Sequence, residues 1–248
     1  MKILGSDYDG TLNHGGINEN KRAAIRAWRA CGNKFGIVSG RAADSFLIAK
    51  EKDLIDLDFF IAYNGGMIIN EDGIVLHQVA CNNVSVHEFL QFVFGLGFSY
   101  AHVFDHRHFL VRPNEATLKA GEISLSQLES LPHFFQISIR ITPIEETAKA
   151  VEQLEKAYGD RLTALQNGVC IDVVPKGVNK AAGLAQLAKL YQAKASDVIA
   201  VGDNVNDLDM IRAFRSYAME NGVDAVKEAA TFTTESITEL ILRELKDT

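Results

Sequence analysis

Short, unbroken apolar runs, each stopped by a polar residue or a glycine, mark both ends of the chain. Residues 2–6 read as a strand cut off by Asp7, residues 34–38 as a second strand, and residues 58–62 as a third. Between them, residues 18–32 carry apolar positions at helical spacing, with Ile25 and Trp28 on one face and Gly32 as a stop signal; residues 42–50 read as a further helix. Buried-type strands alternating with helices predict a parallel sheet of the α/β class. The same rhythm returns late in the chain: a helix at 179–192, a strand at 198–201, a short helix from Val205, a strand at 216–219 and a terminal helix at 237–245.

The middle is patterned differently. Residues 67–70 and 74–78 flank Glu71-Asp72-Gly73 and read as a hairpin. Helices are expected at 84–95, 116–131 and 145–158, and strands at 99–103, 108–111, 134–141, 162–165 and 170–174. This mixture predicts a separate α+β domain over 82–165, inserted into an α/β domain made of 1–81 and 166–248. The length, 248 residues, suits two unequal domains.

Composition narrows the function. Apolar residues make up 47% of the chain, enough for a core without disulfides or structural metal. A net charge of −7 argues against a nucleic-acid partner. Cys31, Cys81 and Cys170 are far apart and outside any CxxC, so they read as small core residues in a reducing compartment. No signal-type apolar segment opens the chain, and no apolar run reaches the ~18 residues of a membrane span. A soluble, cytoplasmic protein with no membrane partner is expected.

Polar residues at the strand ends carry the candidate chemistry, since ligands of open α/β sheets bind beyond the carboxyl ends of the strands. Asp7-Tyr8-Asp9-Gly10-Thr11 follows the first strand, and two carboxylates so placed can divide nucleophilic and proton-transfer work; a plain Asp-Gly turn is the alternative. Ser39-Gly40-Arg41 closes the second strand at the expected mouth of a helix, as an anion site or an ordinary N-cap. Lys180 lies inside the start of a helix, where a cation opposes the helix dipole and can serve an anion, whereas Lys176 reads as exposed. Gly202-Asp203-Asn204-Val205-Asn206-Asp207 places two carboxylates and two amides after an apolar strand, a set suited to a hard cation such as Mg2+.

In this order, DxDGT at 7–11, Ser39 with Gly40-Arg41, helix-start Lys180 and GDxxND at 202–207 resemble the haloacid dehalogenase superfamily, in particular its Cof-type sugar-phosphatase branch, over the whole chain. Ala62-Tyr63-Asn64-Gly65-Gly66 is similar to an Asn-Gly element of Cof-type proteins, and otherwise reads as a simple turn. Gly5 and Ser6 depart from the family's apolar run into the first motif, and looser side-chain packing is expected there.

The resemblance implies a doubly wound, mainly parallel, Rossmann-like core with an inserted α+β cap of the C2 type. It implies a Mg2+-dependent phosphatase acting on a small phosphorylated metabolite, a sugar phosphate or a phosphoglycolate-like ester, through an aspartyl-phosphate. Asp7 would be the nucleophile, Asp9 the acid and base, and Lys180 the neutralising cation. The metal would involve Asp7, Asp9 through its carbonyl, Asp203 and Asp207, with Asp207 orienting Lys180 or a metal-bound water. Ser39, Gly40, Asn64, Gly65 and Asn206 would meet the substrate. A phosphomutase and a phospho-accepting regulatory domain stay open as alternatives, although the latter lacks a counterpart of Asp9. His102, Asp105, His106, Arg107, His108 and Arg112 crowd one stretch of the insert, as a substrate-gripping lip or as a polar hairpin turn.

Overall fold

The computed structural model describes residues 1–140, 145–167 and 169–246. Its strands in chain order are β1 (Ile3–Ser6), β2 (Lys34–Val38), β3 (Phe59–Ala62), β4 (Met67–Asn70), β5 (Val75–Gln78), β6 (Ala101–Phe104), β7 (His108–Arg112), β8 (Glu122–Ser124), β9 (Gln136–Arg140), β10 (Leu162–Asn167), β11 (Cys170–Pro175), β12 (Val198–Gly202), β13 (Arg215–Met219) and β14 (Phe232–Thr234). They form an eight-stranded sheet of order β14-β13-β12-β1-β2-β3-β4-β5 and a six-stranded sheet of order β10-β11-β9-β6-β7-β8. The chain divides into a first unit, Met1–Gln78 with Asn179–Thr248, and a second, Val79–Val178.

In the first unit β14 through β3 run parallel, and β4 and β5 return antiparallel at one edge. Every residue of β1, β3 and β12 is buried, which is why these segments read as continuous apolar runs rather than as alternating ones. Strand order reverses around β1, whose neighbours β2 and β12 come from opposite ends of the sequence. Loops after these three strands therefore meet at a topological switch point, where such sheets bind ligands.

Helix starts follow local chemistry. Asn18 caps Glu19–Ala30 by accepting the Lys21 amide at 3.0 Å, and Asn179 caps Lys180–Leu190 by accepting the Ala182 amide at 2.8 Å. The second helix buries Leu184 and Leu187 against Ile3, Val38, Ile61 and Ala200, at roughly 1.5–3 kcal/mol for each leucine removed from water. Gly5 makes this seat possible: a Cβ there would lie 2.6 Å from a Leu184 methyl. The small residue expected to loosen the first strand instead lets the helix approach.

The second unit has its own core, in which Phe89, Leu90 and Val93 of Val86–Gly95 and Ala150 and Leu154 of Glu145–Tyr158 join Val103, Val111, Ile137 and Val173. Its limits differ from those expected. The return to the first unit, placed at 166, occurs at Asn179, because β11 pairs antiparallel with both β10 and β9 and so belongs wholly to the second sheet. At the other end Cys81 bridges to Phe134, which draws 79–81 into the insert.

Further expectations change. The helix expected at 116–131 is a single turn, Glu115–Thr117, followed by β8; Gly121 sits at φ +83°, and Glu122–Ser124 pairs parallel with β7. The helix expected at 42–50 begins only at Ser45 and continues as a wide turn, Ile48–Lys52. Helix Asp224–Ala229 and strand β14 are too short to leave a periodic signal. Of the strand expected at 134–141, Gln136–Arg140 forms, and Ile141 lies outside the described residues. Cys31 is exposed and Cys170 half-buried, so only Cys81 is a core cysteine.

Candidate active site

The loop after β1 starts as a continuation of the sheet, with the Asp7 amide donating to the Val201 carbonyl at 2.9 Å. It then winds through Tyr8–Leu12, and Gly10 adopts φ +80°. A Cβ at Gly10 would lie 2.4 Å from Asp203 Oδ2. A left-handed backbone and a tight approach therefore both require glycine here. The Thr11 hydroxyl donates to Asp203 Oδ1 at 2.6 Å, and the Asn221 amide donates to the Gly10 carbonyl at 2.9 Å. Acidic loops from the two ends of the sequence are thus tied together.

Lys180 reaches the same place from the first turn of its helix. Its ammonium donates to Asp7 Oδ1 at 2.6 Å and to Asp207 Oδ1 at 2.5 Å, and all three side chains are buried. The turn after β3 sets the helix start. Tyr63, Asn64 and Gly65 all have positive φ, and a Cβ at Gly65 would stand 2.1 Å from the Asn179 carbonyl oxygen. The Asn64 amide donates to the Ser39 carbonyl at 2.9 Å and the Tyr63 amide to the Arg41 carbonyl at 3.0 Å. One strained turn therefore fixes both the second motif and the lysine helix.

Carboxylate oxygens of Asp7, Asp203 and Asp207 lie within 4.8 Å of one another. Three carboxylates against one ammonium leave two negative charges. Burial pushes the Asp7 carboxyl up to about 8, against the pull of Lys180, and Asp207 and Asp203 add to the push. Burial also raises Asp203 above its ordinary value, beyond what its Thr11 hydrogen bond offsets, and Asp207 reinforces the rise. Burial disfavours the Lys180 ammonium, but Asp207 and Asp7 outweigh it and hold lysine protonated above its ordinary range. This donor set fits a divalent hard cation, which would supply the missing charge. Asp7 and Asp203 are the suited ligands. Asp207 is occupied: its second oxygen accepts the amides of Asp203 and Asn204 at 3.0 Å each, so it orients Lys180 and the acidic loop.

The remaining site residues fall around this cluster. Ser39 is buried at the end of β2, and its Oγ accepts the Arg41 amide at 3.1 Å. This is a turn, not the helix mouth expected, because the next helix starts at Ser45. Gly40 and Asn206 are half-buried, and Asn64 and Gly65 are buried. Asp9 stands apart. Its side chain is 60% exposed and engaged at both oxygens by Arg41, at 2.8 and 2.7 Å.

The crowded stretch of the insert resolves into pairs. Asp105 accepts the Arg107 amide and guanidinium within the β6–β7 turn, Arg112 forks onto Glu122 at 2.8 Å twice, and His102 and His108 meet at 2.7 Å. His106 rests against His133 and Phe135. The hairpin reading accounts for Asp105 and Arg107, whereas Arg112 ties β7 to Glu122 of β8.

Three site residues had been given no role: Thr11, Arg41 and Asn221. The first two lie inside motifs already singled out. Asn221 follows β13 in Glu220-Asn221-Gly222, the same polar break after an apolar strand that marks the other loops.

The whole chain is similar to known proteins. The family model described as haloacid dehalogenase-like hydrolase matches residues 4–240. The 5-amino-6-(5-phospho-D-ribitylamino)uracil phosphatase YbjI of Escherichia coli is 28% identical over 253 residues, covering 94% of this chain and 90% of its own. The structure of SMU.1108c from Streptococcus mutans superposes with a TM-score of 0.83 at 20% identity, over 99% of each chain. The subclass IIB sugar phosphatase BT4131 gives 0.78 at 21% identity, over 98% of this chain and 99% of its own.

Proposed function

Since the chain belongs to the haloacid dehalogenase-like hydrolases, of the Cof type, and is a phosphoric monoester hydrolase, we propose that it removes phosphate from a small metabolite by way of a phosphoryl group carried on Asp7. The observation that supports this is the buried Asp7 carboxylate, placed at a strand end with Lys180 at 2.6 Å and Asp203 alongside.

In the first step an Asp7 oxygen bonds to phosphorus as the ester O–P bond breaks. The departing alkoxide takes a proton from Asp9. In the second, water attacks phosphorus, Asp9 accepts its proton, and the Asp7–phosphorus bond breaks to release phosphate and restore the carboxylate. Lys180 holds the Asp7 carboxylate in one orientation and offsets charge as the phosphoryl group approaches, and Asp207 holds Lys180. Ser39, the Gly40 amide and Asn206 receive phosphoryl oxygens, while Asn64 and Gly65 brace the loop that presents them. Asp7, the Asp9 carbonyl and Asp203 would hold Mg2+, which would supply the positive charge that lets two anions meet. For phosphoryl transfer, positioning and charge stabilisation account for most of the rate.

The E. coli relative is named for a substrate with a phosphorylated ribityl chain, and BT4131 is named a sugar phosphatase. A phosphorylated sugar, sugar alcohol or short hydroxy acid is the class assigned here. The test is a phosphate-release screen over metabolites with Mg2+ present. Release from one group of esters, abolished by Asp7→Asn, is expected; release that survives Asp7→Asn unchanged refutes the reading.

A further inference from the structure

Asp9 is held where it cannot act. Its carboxylate lies outside the buried cluster, 60% exposed, with both oxygens on the Arg41 guanidinium. To protonate an alcohol leaving the phosphorus on Asp7, it must release that guanidinium. Arg41, by contrast, is fixed at its base, while its head is partly exposed and engages Asp9. Its amide donates to Ser39 Oγ and its carbonyl accepts the Tyr63 amide. Its guanidinium lies 4.6 Å from the centre of the Tyr8 ring, and Tyr8 is anchored through its hydroxyl to Asp53. Exchanging one anion for another at such a head is inexpensive, because an ion pair exposed to solvent is easily replaced. The planar fork also accepts a carboxylate or a phosphate equally well.

We propose that Arg41 is both a latch on Asp9 and the receptor for a second anionic group of the substrate. At rest it clamps Asp9. When a substrate brings a carboxylate or second phosphate beside its scissile phosphate, that group takes the guanidinium, and Asp9 is released toward the leaving oxygen. The preferred substrates are therefore phosphate monoesters carrying a further negative charge. This rests on the phosphatase reading above and narrows its substrate class.

The experiment compares phosphoglycolate, ethylene glycol bisphosphate and the neutral analogue 2-hydroxyethyl phosphate on the wild type, Arg41→Gln and Arg41→Lys, each checked for folding by circular dichroism. In the wild type either second anion is expected to raise kcat/KM by about tenfold or more over the neutral ester, as for a charge-assisted hydrogen bond. A substantial part of this should appear in kcat, since release of Asp9 acts on the chemical step. The two anionic esters separate carboxylate from phosphate as the recognised group. Arg41→Gln should bring the ratio close to unity, and Arg41→Lys should restore part of it. No preference in the wild type, a preference that persists in Arg41→Gln, or a preference confined to KM overturns the latch. Release that persists unchanged in Asp7→Asn overturns the proposed route through Asp7, and the latch with it.

Discussion

Replacing Lys180 with methionine removes one ammonium from a site that holds three carboxylates. The side chain is 1% exposed, so water cannot take its place. Breaking a buried ion pair from one side costs about 3–5 kcal/mol, because the partner charge is left unmatched. For a chain of this length the loss corresponds to a fall in melting temperature on the order of 10 °C. The assay is a calorimetric melt in EDTA at pH 7 and again with excess Mg2+. The cation should raise the melting temperature more in Lys180→Met than in the wild type, because it meets one more uncompensated charge. A variant melting within about 2 °C of wild type in EDTA would refute the claim that Lys180 holds this acidic cluster together.

Other consequences follow from particular contacts. Gly10→Ala brings a methyl group to 2.4 Å from Asp203 Oδ2; half-saturation by Mg2+, read by titration calorimetry, should rise by roughly tenfold or more, while unchanged affinity would separate Asp203 from the cation. Gly65→Ala drives a methyl into the Asn179 carbonyl at φ +111°, and a loss of ~3 kcal/mol or more is expected in denaturant melts. At Asp58 burial opposes the charge, but hydrogen bonds from Arg29, Lys34 and the Phe35 amide outweigh it and hold the carboxyl below its ordinary value. Its contribution is therefore present above the ordinary carboxyl pKa and lost as pH falls through the depressed folded value. Asp58→Asn should cost ~2 kcal/mol at neutral pH, and the difference should vanish in acid; a pH-independent difference contradicts the assignment.

Much of the first unit was legible because its strands are buried on both faces and its loops are chemically marked. Runs such as Lys34–Val38 and Phe59–Ala62 have one consistent reading, and Asp7, Lys180 and Asp203 each follow a clear strand or cap signal. The limits of the insert were not legible, because Cys170–Pro175 has the same apolar character as a core strand and only its antiparallel partners reveal which sheet it joins. The role of Gly5 was hidden for a related reason: its neighbour Leu184 is 179 positions away in sequence. Asp9 and Arg41 were both visible in motifs. Their ion pair was not, because it joins loops after two different strands that only the parallel sheet brings side by side.

The claim that Asp7 carries the phosphoryl group is tested most directly by trapping it. The enzyme, turning over a hydrolysable ester with Mg2+, is quenched in acid and reduced with borohydride, and the peptide containing residues 1–21 is sequenced by mass spectrometry. The account predicts that a fraction of the carboxyl at position 7, and no other, appears as the homoserine alcohol, and that none forms without substrate. Label at Asp9 or Asp203, or an unmodified Asp7 during active hydrolysis, would contradict it.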